Sequence, residues 1–220
     1  MIDGTYFQDF CLVSYFDADL KHLQYCEIID KENYRDFKLS LMVLVAAGLN
    51  IRSITSDGEK GLILAVREVL PDTLHQRCII HVQRMSLIYL GRFPQSEAGR
   101  DLRKITRLLH NIYDHADKKN WIKKFRDWEI KYHDFLDEKN SIWSDSKLYR
   151  HYDIRRVRTL INNSLPNIFY YLDDNRIPKS TNGLESRFSY LKNNLRTHRG
   201  LSKENRKSFI LWYCWFKYNS

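Results

Sequence analysis

The sequence predicts a mixed α/β fold that encloses a long helical segment. In residues 1–81, short runs of β-branched and aromatic residues alternate with helical periods in the order three strands, helix, strand, helix, strand. Residues 82–175 then show helical periods throughout. The 220 residues are 43% hydrophobic and 14% aromatic, a composition that can bury a sizeable core and differs from that of disordered chains.

The elements follow in order. "TYF", "FCLVSYF" and "YCEIID" are β-prone runs broken by polar turns, so three successive strands are expected. "ENYRDFKLSLMVLVAAG" has helix-forming composition, and Gly48 is placed to end that helix. "NIRSITSDG" predicts a short strand running into Asp57-Gly58, and "EKGLILAVREVL" predicts a helix stopped by Pro71. "HQRCIIH" predicts a further strand. In "WIKKFRDWEIKYHDF", Trp121, Phe125, Trp128, Tyr132 and Phe135 recur at helical steps, a stripe expected to pack a core rather than stack nucleobases. "NSIWSDSKLYRHYDIRRVRTLINNSLPNIFYYL" predicts another helical block, whose Arg155, Arg156 and Arg158 fit either a solvated face or phosphate contact. The last segment, "NRKSFILWYCWFKY", predicts a helix with its aromatic side buried against the sheet or the helical segment.

Charge is unevenly distributed. The formal net charge is +9, but residues 1–60 hold 6 Lys and Arg against 10 Asp and Glu, leaving 30 against 17 in residues 61–220. An acidic opening before a basic body suits a metal centre within a polyanion-binding surface; net charge alone also fits a soluble basic protein. The four cysteines, Cys11, Cys26, Cys78 and Cys214, form no CxxC pair, which favours a reducing, cytoplasmic setting. No apolar run is long enough to span a membrane; "LMVLVAAGL" and "FILWYCWF" read as buried helix segments.

Three carboxylates stand in comparable positions. Asp3 lies on the first strand, Asp57 at the end of a later one, and Glu185 on the first turn of a helix, at intervals of 54 and 128 residues. Brought together, they would form a hard oxygen site for Mg²⁺, and two such ions can drive phosphoryl transfer. Each acid also has a local explanation. Asp3-Gly4 and Asp57-Gly58 fit turns or caps, and Asn182 with Glu185 fits a capping box. The helix carrying Glu185 is otherwise cationic on that face, with Lys192, Arg196 and Arg199, so the acid is an exception there. Cys78 and His81 form an incomplete zinc half-site, since no second pair follows at finger-like spacing.

"IDGTYF", "ITSDGEKGLILAVREVLPDTLHQRCIIH" and "STNGLESRFSYLKNNLRTHRGL" resemble, in order and context, the three acidic motifs of DDE-type insertion-sequence transposases, in the group related to Mutator-like elements. The most specific parts are Ser56-Asp57-Gly58 followed by Cys78-x-x-His81, and Asn182-x-x-Glu185 followed by the basic helix. The resemblance implies a ribonuclease-H-like mixed sheet flanked by helices and interrupted by an all-helical insertion. The core would comprise residues 1–81 and 178–220, and the insertion residues 82–177.

The resemblance also implies a chemistry. Asp3, Asp57 and Glu185 would hold two Mg²⁺ or Mn²⁺ ions, and His81, near the centre in that family, would position DNA or a catalytic water if it is not a packed structural histidine. Arg187, Lys192, Arg196 and Arg199 are the candidate phosphate contacts. The expected activity is metal-dependent DNA cleavage and strand transfer, with self-association on DNA in the cytoplasm, at the nucleoid. The alternatives are a nuclease that cuts without joining and an inactive remnant that binds DNA. Family members carry an N-terminal DNA-binding domain and a first strand that begins well before its Asp, so a start two residues before Asp3 implies a truncated copy.

Overall fold

The computed structural model describes residues 1–138 and 151–218. Residues 140–150, where the sequence reading starts a helical block, lie outside the described residues. The chain divides into two compact units: residues 1–78 with 174–220, and residues 79–173.

The first unit is built on an antiparallel sheet of β1 (Ile2–Phe7), β2 (Phe10–Asp17) and β3 (His22–Ile29). Asp3 pairs with Ser14, and the pairing continues outward to Met1, whose carbonyl accepts from the Phe16 N–H at 2.8 Å. Alternation divides the side chains between two apolar layers. Ile2, Cys11, Val13 and Tyr15 pack with α1 (Tyr34–Ala46) and α2 (Lys60–Val69). Phe10, Leu12 and Phe16 pack with α8 (Asn182–Arg196) and α9 (Lys203–Tyr218). A bulge sets Tyr15 opposite Tyr25 and Phe16 opposite Leu23, which makes Gln24 the extra residue and reverses the parity of β3. Asp3 has the parity of Met1 and Phe7 and therefore lies on the α8 side.

Asn33 caps α1 by accepting from the Asp36 N–H, and Gly48, at φ +82°, takes the left-handed conformation just beyond the end of α1. A parallel pair follows, β4 (Ser53–Ser56) and β5 (Leu74–Arg77), joined through α2. β4 approaches β1 but belongs to a separate hydrogen-bonded ladder. The expected strand over 75–81 stops early: β5 ends at Arg77, and α3 (Ile79–Leu90) begins at once. Ile79 and Val82 are needed on the inner face of that helix, so β-prone Cys-Ile-Ile is overridden by packing.

The second unit comprises α3, α4 (Glu97–Arg107), α5 (His115–Lys131), α6 (His133–Asp137) and α7 (Tyr152–Ser164), with short 3₁₀ turns. Its core is the predicted aromatic stripe. Phe125 stacks against Trp121 at 5.7 Å and Trp128 at 6.0 Å between ring centroids. Both indoles are satisfied, Trp121 Nε1 donating to the Ile105 carbonyl and Trp128 Nε1 to that of Ala98, each at 2.9 Å. The arginine cluster is engaged within the unit. Arg155 binds Asp137 at 2.8 Å, Arg158 binds Glu129 at 2.8 Å, and Arg156 lies 3.7 Å over the Tyr89 ring.

The last helix departs from expectation. Ile210 and Cys214 form the inward face of α9 beside β3, whereas Trp212, Trp215 and Phe216 are 60–64% exposed. A segment apolar on every side does not reveal which stripe faces inward. Among the described residues, no helix is long and apolar enough to cross a membrane.

Candidate active site

Asp57 is the first residue past β4, and its position is set by a tight turn. Ser56 Oγ accepts from the Gly58 N–H at 3.2 Å and lies 2.7 Å from His75 Nε2. Asp57 Oδ1 accepts from the Glu59 N–H at 3.0 Å, so the turn reading of this acid is realised in part. Gly58 has φ +83°, and a Cβ built there would sit 2.0 Å from the Arg77 guanidinium. Only glycine meets both demands.

Asp3 is 7% exposed on β1, its Oδ1 accepting from the Gly4 N–H at 3.0 Å. Carboxylate oxygens of Asp3 and Asp57 lie within 4.8 Å of each other. The first two acids of the predicted triad are therefore adjacent, although 54 residues separate them.

The third arrives by a different route. Thr55 Oγ1, on β4, donates to the Pro178 carbonyl at 2.7 Å. Cys78, whose N–H donates to the Ser56 carbonyl at 2.7 Å, accepts on its sulfur from the Thr181 N–H at 3.4 Å and hydroxyl at 3.7 Å. These bonds fasten residues 178–181 to the end of β4 and give buried Cys78 a structural role. α8 starts immediately afterwards. Its first turn passes Met1, whose Cε is 3.7 Å from a Cβ built on Gly183. Glu185 is half-buried on that turn, but does not come within 4.8 Å of both aspartates among the described residues.

The capping box is not formed. The cap residue is Thr181, without a side-chain cap bond; its carbonyl accepts from the Leu184 and Glu185 N–H groups, and Asn182 is already inside the helix. Docking of Thr181 on Cys78 moved the start by one residue. His81 is half-buried on the first turn of α3, three residues past Cys78.

Glu32 is a neighbour that sequence reasoning missed. A Cβ on Gly4 would meet Glu32 Oε1 at 2.5 Å, so the carboxylate occupies space left open by glycine beside Asp3. Burial first, then the charges of Asp57, Glu59 and Asp3, push its carboxyl up to about 7, against a hydrogen bond with Tyr6 that works the other way. The available signal was the concentration of acids in residues 1–60. On the other side of the turn, burial and the Arg77 and Arg67 charges bring His75 down to about 4.

The Glu32 shift has a stability consequence. Between its ordinary value of 4.5 and about 7, the unfolded chain releases a proton that the folded chain keeps, so stability present below 4.5 is lost as pH rises through 7. In chelator-treated buffer at pH 8, Glu32→Gln is expected to be about 1 to 2 kcal/mol more stable than the parent, after allowance for solvent screening. At pH 4 the two should coincide, with the His75 contribution common to both. Urea titrations at both pH values check this, and equal stabilities at pH 8 would refute it.

The candidate phosphate contacts are all on the first unit. The Arg187 guanidinium packs 4.3 Å over the Phe16 ring, and Lys192 Nζ lies 5.5 Å over Phe7. Arg196, in the last turn of α8, and Arg199, beyond it, are exposed.

Comparison with known proteins places the chain among the transposases. The family model described as "Transposase, Mutator family" matches residues 21–192, a stretch that includes Asp57, His81 and Glu185. The chain belongs to the Mutator family of transposases. It is also similar to a transposase for the insertion sequence element ISRM5 from Rhizobium meliloti (strain 1021), with 31% identity over 111 residues. That match covers 48% of this chain and 26% of the relative, so the chain spans about a quarter of the relative's length.

Proposed function

We propose that the chain is the catalytic part of an insertion-sequence transposase that cleaves DNA strands in a Mg²⁺- or Mn²⁺-dependent reaction and transfers the freed 3′ end to target DNA. The carrying observation is the approach of Asp3 and Asp57 to within 4.8 Å at the ends of two neighbouring strands. In this reading residues 1–81 and 178–220 form one ribonuclease-H-like core, and residues 82–177 are its helical insertion.

The residues fit a hard cation. Two carboxylates this close, one on a residue 7% exposed, repel each other unless a cation or a proton accompanies them. Two divalent ions held by Asp3, Asp57 and Glu185 would supply an activated oxygen nucleophile and a counter-charge for the leaving oxygen.

The protein's own part is placement. The Gly58 turn aims Asp57, the Thr55 and Cys78 bonds to residues 178–181 bring α8 to the same strand end, and His81 orients DNA or the attacking water. Arg187, Lys192, Arg196 and Arg199 hold phosphates, which gives affinity without sequence information. Self-association on the DNA, in the cytoplasm at the nucleoid, completes the reading.

The test is incubation of the protein with supercoiled plasmid and end-labelled duplex, with Mg²⁺, with Mn²⁺ or with chelator. Metal-dependent nicks together with covalently joined strands are expected. Nicks alone would reassign the chain as a nuclease without joining activity, and salt-sensitive binding with no cleavage in either metal would leave a DNA-binding remnant.

A further inference from the structure

We propose that the outer face of α4 is a second DNA-binding surface, on which Arg92, Arg100, Arg103 and Arg107 hold phosphates along one strand of a duplex. This rests on the DNA reading above and adds to it a contact on the helical unit, separate from the cations of α8 and the α8–α9 corner.

α4 has two unlike sides. Ala98, Gly99, Leu102 and Thr106 are buried, whereas Arg100, Arg103 and Arg107 recur at steps of three and four and share the other side. The two acids of the helix are drawn to the end of α5: Glu97 accepts from Lys131 Nζ at 2.9 Å, and Asp101 from the Tyr132 hydroxyl at 2.8 Å. Asp101 also takes up Lys104 at 3.0 Å. Among the described residues, none of the four arginines is paired with a carboxylate. A merely solvated basic face pairs its arginines with neighbouring acids, as Arg155 and Arg158 do elsewhere in this unit.

Two of the guanidiniums are fixed by carbonyls instead. Arg100 Nη1 donates to the Gln95 carbonyl at 2.6 Å and to that of Pro94 at 3.4 Å. Arg103 Nη1 donates to the Gly91 carbonyl at 2.7 Å and to that of Leu87 at 3.3 Å. Each fork is thus held through one nitrogen, and among the described residues its other donors are unspent. Arg92, just past α3, lies 5.3 Å over the Phe93 ring, and Arg107 is exposed one turn beyond Arg103. Burial first, then the charges of Arg107 and Arg92, bring Arg103 below its ordinary value. Cations that crowd one another without an acid between them weaken the fold, and an anion placed among them removes that repulsion.

The spacing favours a chain of anions over a single one. From Arg100 to Arg107 the helix rises about 10 Å, the length over which one strand of B-form DNA presents about three phosphates. Guanidiniums held in place lose little freedom on binding, and their parallel donors match phosphate oxygens. Such contacts add affinity without sequence information.

The salt dependence of duplex binding by the full chain counts these contacts. Arg92→Gln combined with Arg107→Gln removes two charges at exposed positions and leaves the carbonyl-bound Arg100 and Arg103 in place. The slope of log affinity against log salt is expected to fall by about 2, with equal losses on duplexes of unrelated sequence. Arg92→Lys with Arg107→Lys, which keeps the charge, should keep the parental slope. Lys123→Gln with Lys124→Gln, at exposed positions of α5, removes the same charge from the same unit and should also keep it. A parental slope in the arginine-to-glutamine pair, or an equal fall in either of the other pairs, would overturn the inference while leaving the DNA reading intact. Absence of salt-sensitive binding by the parent would overturn both.

Discussion

Asp57→Asn is expected to lose metal-dependent strand cleavage by about a thousandfold or more, equivalent to about 4 kcal/mol of transition-state stabilisation. The substitution isolates charge from shape. An asparagine oxygen can still accept from the Glu59 N–H as Asp57 Oδ1 does at 3.0 Å, so the turn and the Gly58 conformation persist. What disappears is one of two carboxylates within 4.8 Å of each other, and with it the charge that would hold a divalent cation. Asp3→Asn should behave alike. DNA affinity and its salt dependence should change little, because the proposed phosphate contacts lie on α8, at the α8–α9 corner and on α4. Asp72→Asn, in the exposed turn after α2, is the matched control. Cleavage by Asp57→Asn at the parental rate would end the assignment of this residue to catalysis.

Phe125→Ala is expected to destabilise the second unit by about 3 to 5 kcal/mol, the range for removing a large buried aromatic. Phe125 has no exposed surface, and its ring lies between Trp121 and Trp128 in a continuous stack along α5. The two indoles are tied by their Nε1 bonds to Ile105 and Ala98 on α4 and its C-terminal turn side, so the helix cannot simply slide to fill the space. Against a typical total of 5 to 15 kcal/mol, this is a large loss. Ile130→Ala, on the same helix but 76% exposed, should stay within about 0.5 kcal/mol. Urea unfolding of the full chain followed by tryptophan emission distinguishes the two. A loss below about 1 kcal/mol for Phe125→Ala would show that the stack is not the core it is taken for.

Much of the fold was legible because its signals are local. The three opening strands announce themselves in short β-prone runs broken by turns, and the structure extends them to six to eight residues. The stripe from Trp121 to Tyr132 marks a buried helical face, since three- and four-residue steps leave one side for the core. Asp57-Gly58 was legible as a strand end that leads into a helix. The candidate site was legible only as residue types in order. Asp3 and Asp57 meet, Glu185 reaches the neighbouring helix turn without joining both within 4.8 Å, and Glu32 was passed over because nothing local ties it to Gly4.

The misread elements share a cause. β5 ends at Arg77 because Ile79 and Val82 are required in a helical core. Asn182 is not the cap because Thr181 is held by Cys78, 103 residues earlier. α9 turns Ile210 and Cys214 inward and leaves Trp212 and Trp215 outside, although every side of that helix is apolar enough to be buried.

By itself, the sequence determined most of the segments that become strands and helices, and which acids and cations are available for chemistry. Periodicity and turn chemistry act over a few residues, and a linear chain displays them directly. Only the tertiary structure decided that Asp3 and Asp57 come within 4.8 Å of each other and that Cys78 is an anchor for Thr181. Those outcomes depend on contacts such as Thr55 to Pro178, 123 residues apart, and on competition between faces for one core. Packing settles that competition only once the whole chain is in place.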